Sequence, residues 1–262
     1  MTAITPQVWL IGGTRESADL ARRLSAQGVP YLVTVTTPSA ADLYPDAAQI
    51  RVGKLTAEAI QAFVMQQRVQ CILDASHPFA CEISQQAIAL SQKQAIAYIR
   101  YERPAQTDSA LQQDGLLTVV ESLESLIASD LLHDQRVLLT IGYRHLARFT
   151  ALRQTSKLFA RVLPSVEAVA GAIAAGFASS EIIALRPPVS LALEKALWQQ
   201  WQITQVVAKA SGQPGGETIK QQVAQQLGVG LILIQRPAIT YPKQTSTLSI
   251  AVKFCSEALS LY

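Results

Sequence analysis

The chain has 262 residues, of which 49% are hydrophobic, 16% charged and 6% aromatic, and its formal net charge is +3. This composition supports one large or two modest globular domains. It excludes a disordered chain, a collagen-like repeat and a disulfide scaffold. The charge is too small to mark a nucleic-acid binder, but it suits an anionic small molecule if basic residues converge on one cleft.

Three cysteines, Cys71, Cys81 and Cys255, cannot all pair and form no C-x-x-C, which points to a reduced compartment. No basic residue precedes the short apolar run at the N-terminus, so a secretory signal is not expected. A membrane span needs roughly 18 uninterrupted apolar residues. The nearest stretch, 166–178, is broken by Glu167 and loosened by Gly171 and Gly176. The expectation is a cytoplasmic protein with no membrane partner.

Short apolar runs alternate with amphipathic segments along the chain. Residues 8–11 read as a buried strand, and 15–27 as a helix with Ala18, Leu20, Ala21 and Leu24 on one face and Gly28 as its stop. Strands are expected at 31–36, 49–52, 71–74 and 97–100, with helices starting at Thr56 and covering 80–92. A polar stretch at 102–115 marks a domain boundary. Beyond it, strands are expected at 137–141, 157–162, 181–185, 204–208 and 231–235. Helices are expected at 144–152, 166–175, 190–199, 216–228 and 256–262. The predicted architecture is α/β: two doubly wound Rossmann-like domains, 1–104 and 105–262, with parallel sheets and an interdomain cleft. Ligands bind such sheets at the carboxyl ends of their strands.

The first strand runs into Gly12-Gly13-Thr14-Arg15-Glu16-Ser17. Glycines there let a backbone approach a phosphate at a helix N-terminus. The spacing is not Gly-x-Gly-x-x-Gly, so an ordinary tight turn explains it as well. Where NAD-binding domains place an acid after the second strand, this chain has Thr34 and Thr36 and no carboxylate. Those hydroxyls, with Arg51 after the third strand, favour a 2′-phosphate and hence NADP(H) over NAD(H). Threonines are also simply good strand residues.

The fourth strand ends in Asp74-Ala75-Ser76-His77-Pro78-Phe79-Ala80. His77 is suited to titrate near neutrality or to bond a phosphate or carboxylate. The plainer reading has Asp74 capping the next helix and Pro78 starting it. His77 and Cys81 lie four apart, but only Cys71, inside a strand, offers a third ligand, so no metal is expected. In the second half, Gly142, Tyr143, Arg144 and His145 follow a strand, and Lys209, Ser211 and Gly212 open a Gly-rich loop. Lys209 there suits an anion clamp or a solvated lysine. The loop lacks the Walker order. No Gly-x-Ser-x-Gly elbow exists, so a hydrolase triad is not supported.

Together these blocks resemble the precorrin-6A or cobalt-precorrin-6A reductase family. The resemblance spans most of the chain. It rests on Gly12-Gly13-Thr14-x-Glu16, Arg51-Val52-Gly53, the block from Asp74 to Ala80, and Arg100-x-Glu102-Arg103-Pro104. It continues through Thr140-x-Gly142, Ala160-Arg161-Val162-Leu163-Pro164, Lys209-x-Ser211-Gly212 and Arg236-Pro237. The His-Pro-Phe-Ala and Glu-Arg-Pro blocks are its specific parts. The resemblance implies NADPH-dependent reduction of one carbon–carbon double bond of a precorrin macrocycle in cobalamin biosynthesis. The implied cofactor residues are Gly12, Gly13, Thr14, Arg15, Glu16, Thr34, Thr36, Arg51, Gly53, Ser76, His77, Pro78, Phe79, Gly142 and Gly212. His77, Tyr143, Lys209 and Ser211 stand as catalytic candidates. The substrate's many carboxylates give Arg100, Arg103, Arg144, Arg161, Arg186 and Lys209 the role of clamps. Hand-over contacts with other corrin-pathway enzymes are a further expectation.

Two departures bear on substrate fit: Ala210 between the lysine and the serine of the loop, and Arg186-Pro187-Pro188 where the family tends to carry Gly-Pro. They leave room for an NADP-dependent reductase of another substrate. A non-catalytic nucleotide- or tetrapyrrole-binding protein is the alternative of a different class.

Overall fold

The computed structural model describes residues 6–45, 49–103, 115–212 and 215–260. Its contacts divide the chain into two units, Met1–Pro104 with Ala238–Tyr262, and Ala105–Pro237. Each is built on a six-stranded sheet in which every pairing is parallel.

The first unit opens with β1 (Gln7–Ile11), α1 (Arg15–Ala26), β2 (Tyr31–Val35), the short α2 (Pro38–Ala41), β3 (Ile50–Val52), α3 (Ala57–Gln66), β4 (Val69–Asp74), α4 (Cys81–Gln94) and β5 (Ala97–Tyr101). Strand period sets the two faces of this sheet. Val8, Leu10, Cys71 and Leu73 meet Leu20, Ala21 and Leu24 of α1 on one face. Trp9, Ile11 and Ile72 meet Ile60 and Phe63 of α3 and Ala87 and Leu90 of α4 on the other. Burying each such large side chain contributes about 1.5–3 kcal/mol. Thr14 caps α1 by accepting from Ser17 N, and Gly28 ends it at φ +66°.

The second unit holds β6 (Leu117–Val120), α5 (Leu123–Ile127), β7 (Arg136–Leu139), β8 (Lys157–Val162), α6 (Val166–Ala174), β9 (Ile182–Ala184), α7 (Leu191–Gln200), β10 (Gln205–Lys209), α8 (Glu217–Leu227) and β11 (Gly230–Ile234). Its strands run in the order β6-β11-β10-β7-β8-β9. Trp198 of α7 and Val223 and Ala224 of α8 close one face over Leu138, Val206 and Leu231.

The chain then returns to the first unit with β12 (Gln244–Thr245) and α9 (Leu248–Leu259). This corrects the expected domain 105–262. β12 bonds to β5 and completes the order β12-β5-β4-β1-β2-β3, while α9 sends Ala251, Val252, Cys255 and Ala258 into the core beside α1. Two further expectations change. The last helix starts at Leu248 and not at Ser256. Residues 144–152, expected as an α-helix, form 3-10 segments Tyr143–Phe149 and Ala151–Gln154. There the Thr150 hydroxyl donates to the Ala147 carbonyl while its amide bonds the same oxygen, favouring the tighter turn.

Candidate active site at the carboxyl ends of the strands

In the first sheet the strand order reverses between β1 and β4, which opens a crevice beyond their carboxyl ends. The turn after β1 forms one wall. Gly13 adopts φ +103°, which only glycine enters readily. Gly12 has another reason to be glycine: a Cβ there would lie 2.3 Å from the Tyr44 hydroxyl. That hydroxyl accepts from Gly13 N at 2.7 Å and lies 2.5 Å from Ser17 Oγ. Burial raises the Tyr44 phenol, so it stays neutral and bonded. Thr14 donates to the Ala75 carbonyl at 2.9 Å and so ties the β1 turn to the end of β4. Arg15 is exposed.

Asp74 does not cap α4, whose N-cap is Ala80 with no side-chain bond. It is fully buried and accepts four hydrogen bonds instead. Ser76 N (3.0 Å) and Arg100 Nη1 (2.8 Å) donate to Oδ1, and Ser84 Oγ (2.6 Å) and Tyr98 Oη (2.8 Å) donate to Oδ2. Arg100 is 1% exposed and also binds Ser76 Oγ (3.0 Å) and Glu102 (2.9 Å). Its expected role as a clamp is therefore corrected: the guanidinium is the counter-ion of a buried carboxylate.

A shallow, open hollow lies over this network, lined by Thr14, Glu16, Ala75, Ser76, Pro78 and residues 100–103. Arg103 bonds Glu16 Oε1 at 2.6 Å across it. Glu16 Oε2 is buried without a hydrogen-bond partner. A buried acceptor beside a helix N-terminus fits a ligand that brings a hydroxyl donor, as the ribose of a dinucleotide does.

Thr34 is buried and its hydroxyl accepts from the Trp9 indole at 2.8 Å, so the expected 2′-phosphate contact is corrected for this residue. Thr36 and Arg51 are exposed, and Arg51 pairs in register with Thr34 and lies 5.4 Å over the Phe63 ring. Gly53 extends this pairing by donating to Val35 O at 2.9 Å. His77 is exposed; its Nδ1 accepts from Phe79 N at 3.2 Å, and Pro78 is buried beneath.

The second sheet reverses between β7 and β10. Gly142 follows β7 at φ +86°. The Tyr143 ring packs on Gly171 of α6, where a Cβ would come within 2.4 Å, and its hydroxyl bonds Glu167. Arg144 stacks over that ring at 5.4 Å. Lys209 ends β10 half-buried, with Ser211 and Gly212 buried beyond it. Arg161 bonds the buried Glu194 at 2.5 Å and is itself 8% exposed, which corrects its expected role as a free clamp. Arg186 is exposed beside a cis Pro187-Pro188 bond.

Sequence reasoning missed Tyr44, Glu194, Glu217 and Lys220. Tyr44, Glu194 and Glu217 each bond a residue it did select, and Lys220 bonds the Gly215 and Gly216 carbonyls of the same loop, but none lies in a motif. Among the described residues, no cluster of three His, Cys, Asp or Glu side chains is placed to hold a metal, and no helix is long and apolar enough to cross a membrane.

Two parallel sheets, each reversing at a Gly-rich turn, define a Rossmann-type α/β protein. Residues 7–256 match the model of the family described as precorrin-6x reductase CbiJ/CobK. The chain is 49% identical over 255 residues to the cobalt-precorrin-6A reductase of Synechocystis sp., covering 96% of this chain and 97% of that one. It is 34% identical over 251 residues to the cobalt-precorrin-6A reductase of Priestia megaterium, covering 94% and 96%. A solved CobK precorrin-6A reductase superposes with a TM-score of 0.78 at 25% identity over 97% of both chains. The chain belongs to the precorrin-6x reductase family and is an oxidoreductase of cobalamin biosynthesis.

Proposed function

We propose that this chain reduces one carbon–carbon double bond of cobalt-precorrin-6A with NADPH. The relatives it matches at 49% and 34% identity are both named for the cobalt-bearing substrate. A nicotinamide cofactor follows from membership in a reductase family. The choice of NADPH is carried by the end of β2, which has no carboxylate and stands beside the exposed cation of Arg51.

The cofactor supplies the hydride; the protein binds, orients and excludes water. Thr14, Arg15 and Glu16 would hold its diphosphate and ribose beside the Gly13 turn, whose amide is already bonded to Tyr44, with Thr36, Arg51 and Gly53 at the 2′-phosphate. Ser76, His77, Pro78 and Phe79 line the end of β4, and Gly142 and Gly212 the corresponding turns of the second unit. Arg144, Arg186 and Lys209 are the remaining carboxylate clamps, whereas Arg103, 10% exposed, is already paired with Glu16. His77, Lys209 and Ser211 are the groups suited to hold the proton that the carbon next to the hydride acceptor requires; Tyr143 serves through its bond to Glu167. The first unit, with β12 and α9, is the nucleotide-binding one, and the second unit binds substrate.

An anaerobic titration with NADPH and then cobalt-precorrin-6A tests this reading. NADPH oxidation matched by loss of macrocycle conjugation is expected. NADPH binding without turnover moves the activity to another substrate, and equal affinity for NADH overturns the cofactor assignment.

A further inference from the structure

The loop that follows β10 is held from beneath by charged side chains. Ser211 N donates to the Lys209 carbonyl at 2.7 Å, and the Ala210 carbonyl accepts from Arg236 Nε at 2.7 Å. Gly212 N donates to the Glu217 carboxylate at 2.7 Å. Lys220 Nζ donates to the Gly215 carbonyl at 2.9 Å and lies 3.4 Å from the Gly216 carbonyl. A side chain at Gly215 would come within 1.8 Å of Ser211 Oγ, and Gly215 N donates to the Gly212 carbonyl at 3.0 Å, so Gly215 packs directly on the turn. Glu217 and Lys220 are 2% and 4% exposed.

Burying two charges to bond a backbone is a costly way to fold a surface loop. It is intelligible where the loop must be ordered before a ligand arrives, because preorganisation removes an entropic cost from binding. This loop lies at the strand-order reversal of the second sheet, where α/β proteins bind ligands.

We propose that Glu217 and Lys220 are positioning residues that hold the turn at 209–212 preformed to receive a carboxylate of the substrate. The proposal rests on the reading of that turn as a substrate element. Burial, aided by Arg161 of β8, pushes the Lys220 ammonium down to about 8, against the pull of Glu194 of α7 and Glu217 of α8 itself. The latch therefore loses its charge within the working range of an assay.

The test compares wild type, Lys220→Met, Lys220→Arg and Glu217→Gln by steady-state kinetics from pH 6.5 to 9.5, with hydrogen exchange read on the peptide covering 209–216. For Lys220→Met at pH 7, KM for the macrocycle is expected to rise about tenfold with kcat within about twofold, and the peptide to exchange faster. Wild-type KM is expected to climb as pH passes 8, and the Met variant to show no such climb. Lys220→Arg is expected to recover part of the loss. Unchanged KM in the folded variants overturns the proposal, whether or not exchange accelerates. If Lys220→Met does not fold, the Glu217→Gln KM and the wild-type pH profile decide alone. Lys209→Ala separates the two levels: if it leaves KM unchanged, the reading of the turn has failed; if it raises KM while the latch variants do not, the latch has failed.

Discussion

The Tyr44 hydroxyl lies 2.7 Å from the Gly13 amide nitrogen, in the space that Gly12 leaves by having no side chain. A phenol from beyond β2 thus satisfies an N–H of the turn that a diphosphate would otherwise be expected to take. The pair of glycines has two separate causes, close approach of Tyr44 at Gly12 and a positive φ at Gly13.

The collision predicts non-additive stability. Gly12→Ala should cost roughly 1–3 kcal/mol through overpacking. Tyr44→Phe should cost about 1 kcal/mol by leaving Gly13 N without its partner, while Ser17 keeps its bonds to Thr14. The double variant should lose less than the sum, because the colliding oxygen is gone. Urea midpoints measure this, and strict additivity would show that the contact is not the reason for Gly12.

Arg100 should behave as a core residue. Arg100→Met leaves Asp74 as a buried charge without its counter-ion, a loss on the order of 3–5 kcal/mol. Adding Asp74→Asn should restore part of it. An Arg100→Met protein with a wild-type denaturation midpoint and a raised KM would instead return Arg100 to the role of clamp.

Acid should act on the second unit through Glu181. Burial opposes its charge, yet Lys157, Arg153 and the Ala178 amide bond the carboxylate and hold it at about 2. A folded value below the unfolded one gives stability that is present above about pH 4.5 and lost as pH falls toward 2. Glu181→Gln should therefore destabilise at pH 7 by on the order of 2–3 kcal/mol. The gap to wild type should close near pH 2. A gap independent of pH would mean that the carboxylate charge does not matter.

Cofactor choice should depend on Arg51. Arg51→Ala is expected to weaken NADPH binding about tenfold and leave NADH unchanged, as loss of one exposed charge-assisted contact would. Calorimetric titration with both nucleotides checks it; an equal loss for both would place Arg51 elsewhere on the ligand.

Most of the strands were legible because each is a short apolar run between turn signals, as in 8–11 or 231–235. β12 was not, because its two residues, Gln244 and Thr245, carry no pattern and are ordered only by pairing with β5. The start of α9 was hidden in the run Ile250 to Cys255, which is apolar but for Lys253. Its helical period appears only once Ala251, Val252, Cys255 and Ala258 are seen to share a buried face. In the site, the motif blocks located the strand ends correctly. They did not reveal that Arg100 and Arg161 are committed to Asp74 and Glu194, because a cation that clamps a ligand and one that neutralises a buried acid read alike in sequence.

β12 enters the first sheet only after residues 105–237 have been made. On a ribosome adding about 5–20 residues per second, that interval is on the order of 10 s. Through it the amides of Arg100 in β5 and of Glu102 just beyond it, which later donate to Lys243 and Thr245, lie on an open edge. Such an edge invites pairing with another nascent chain.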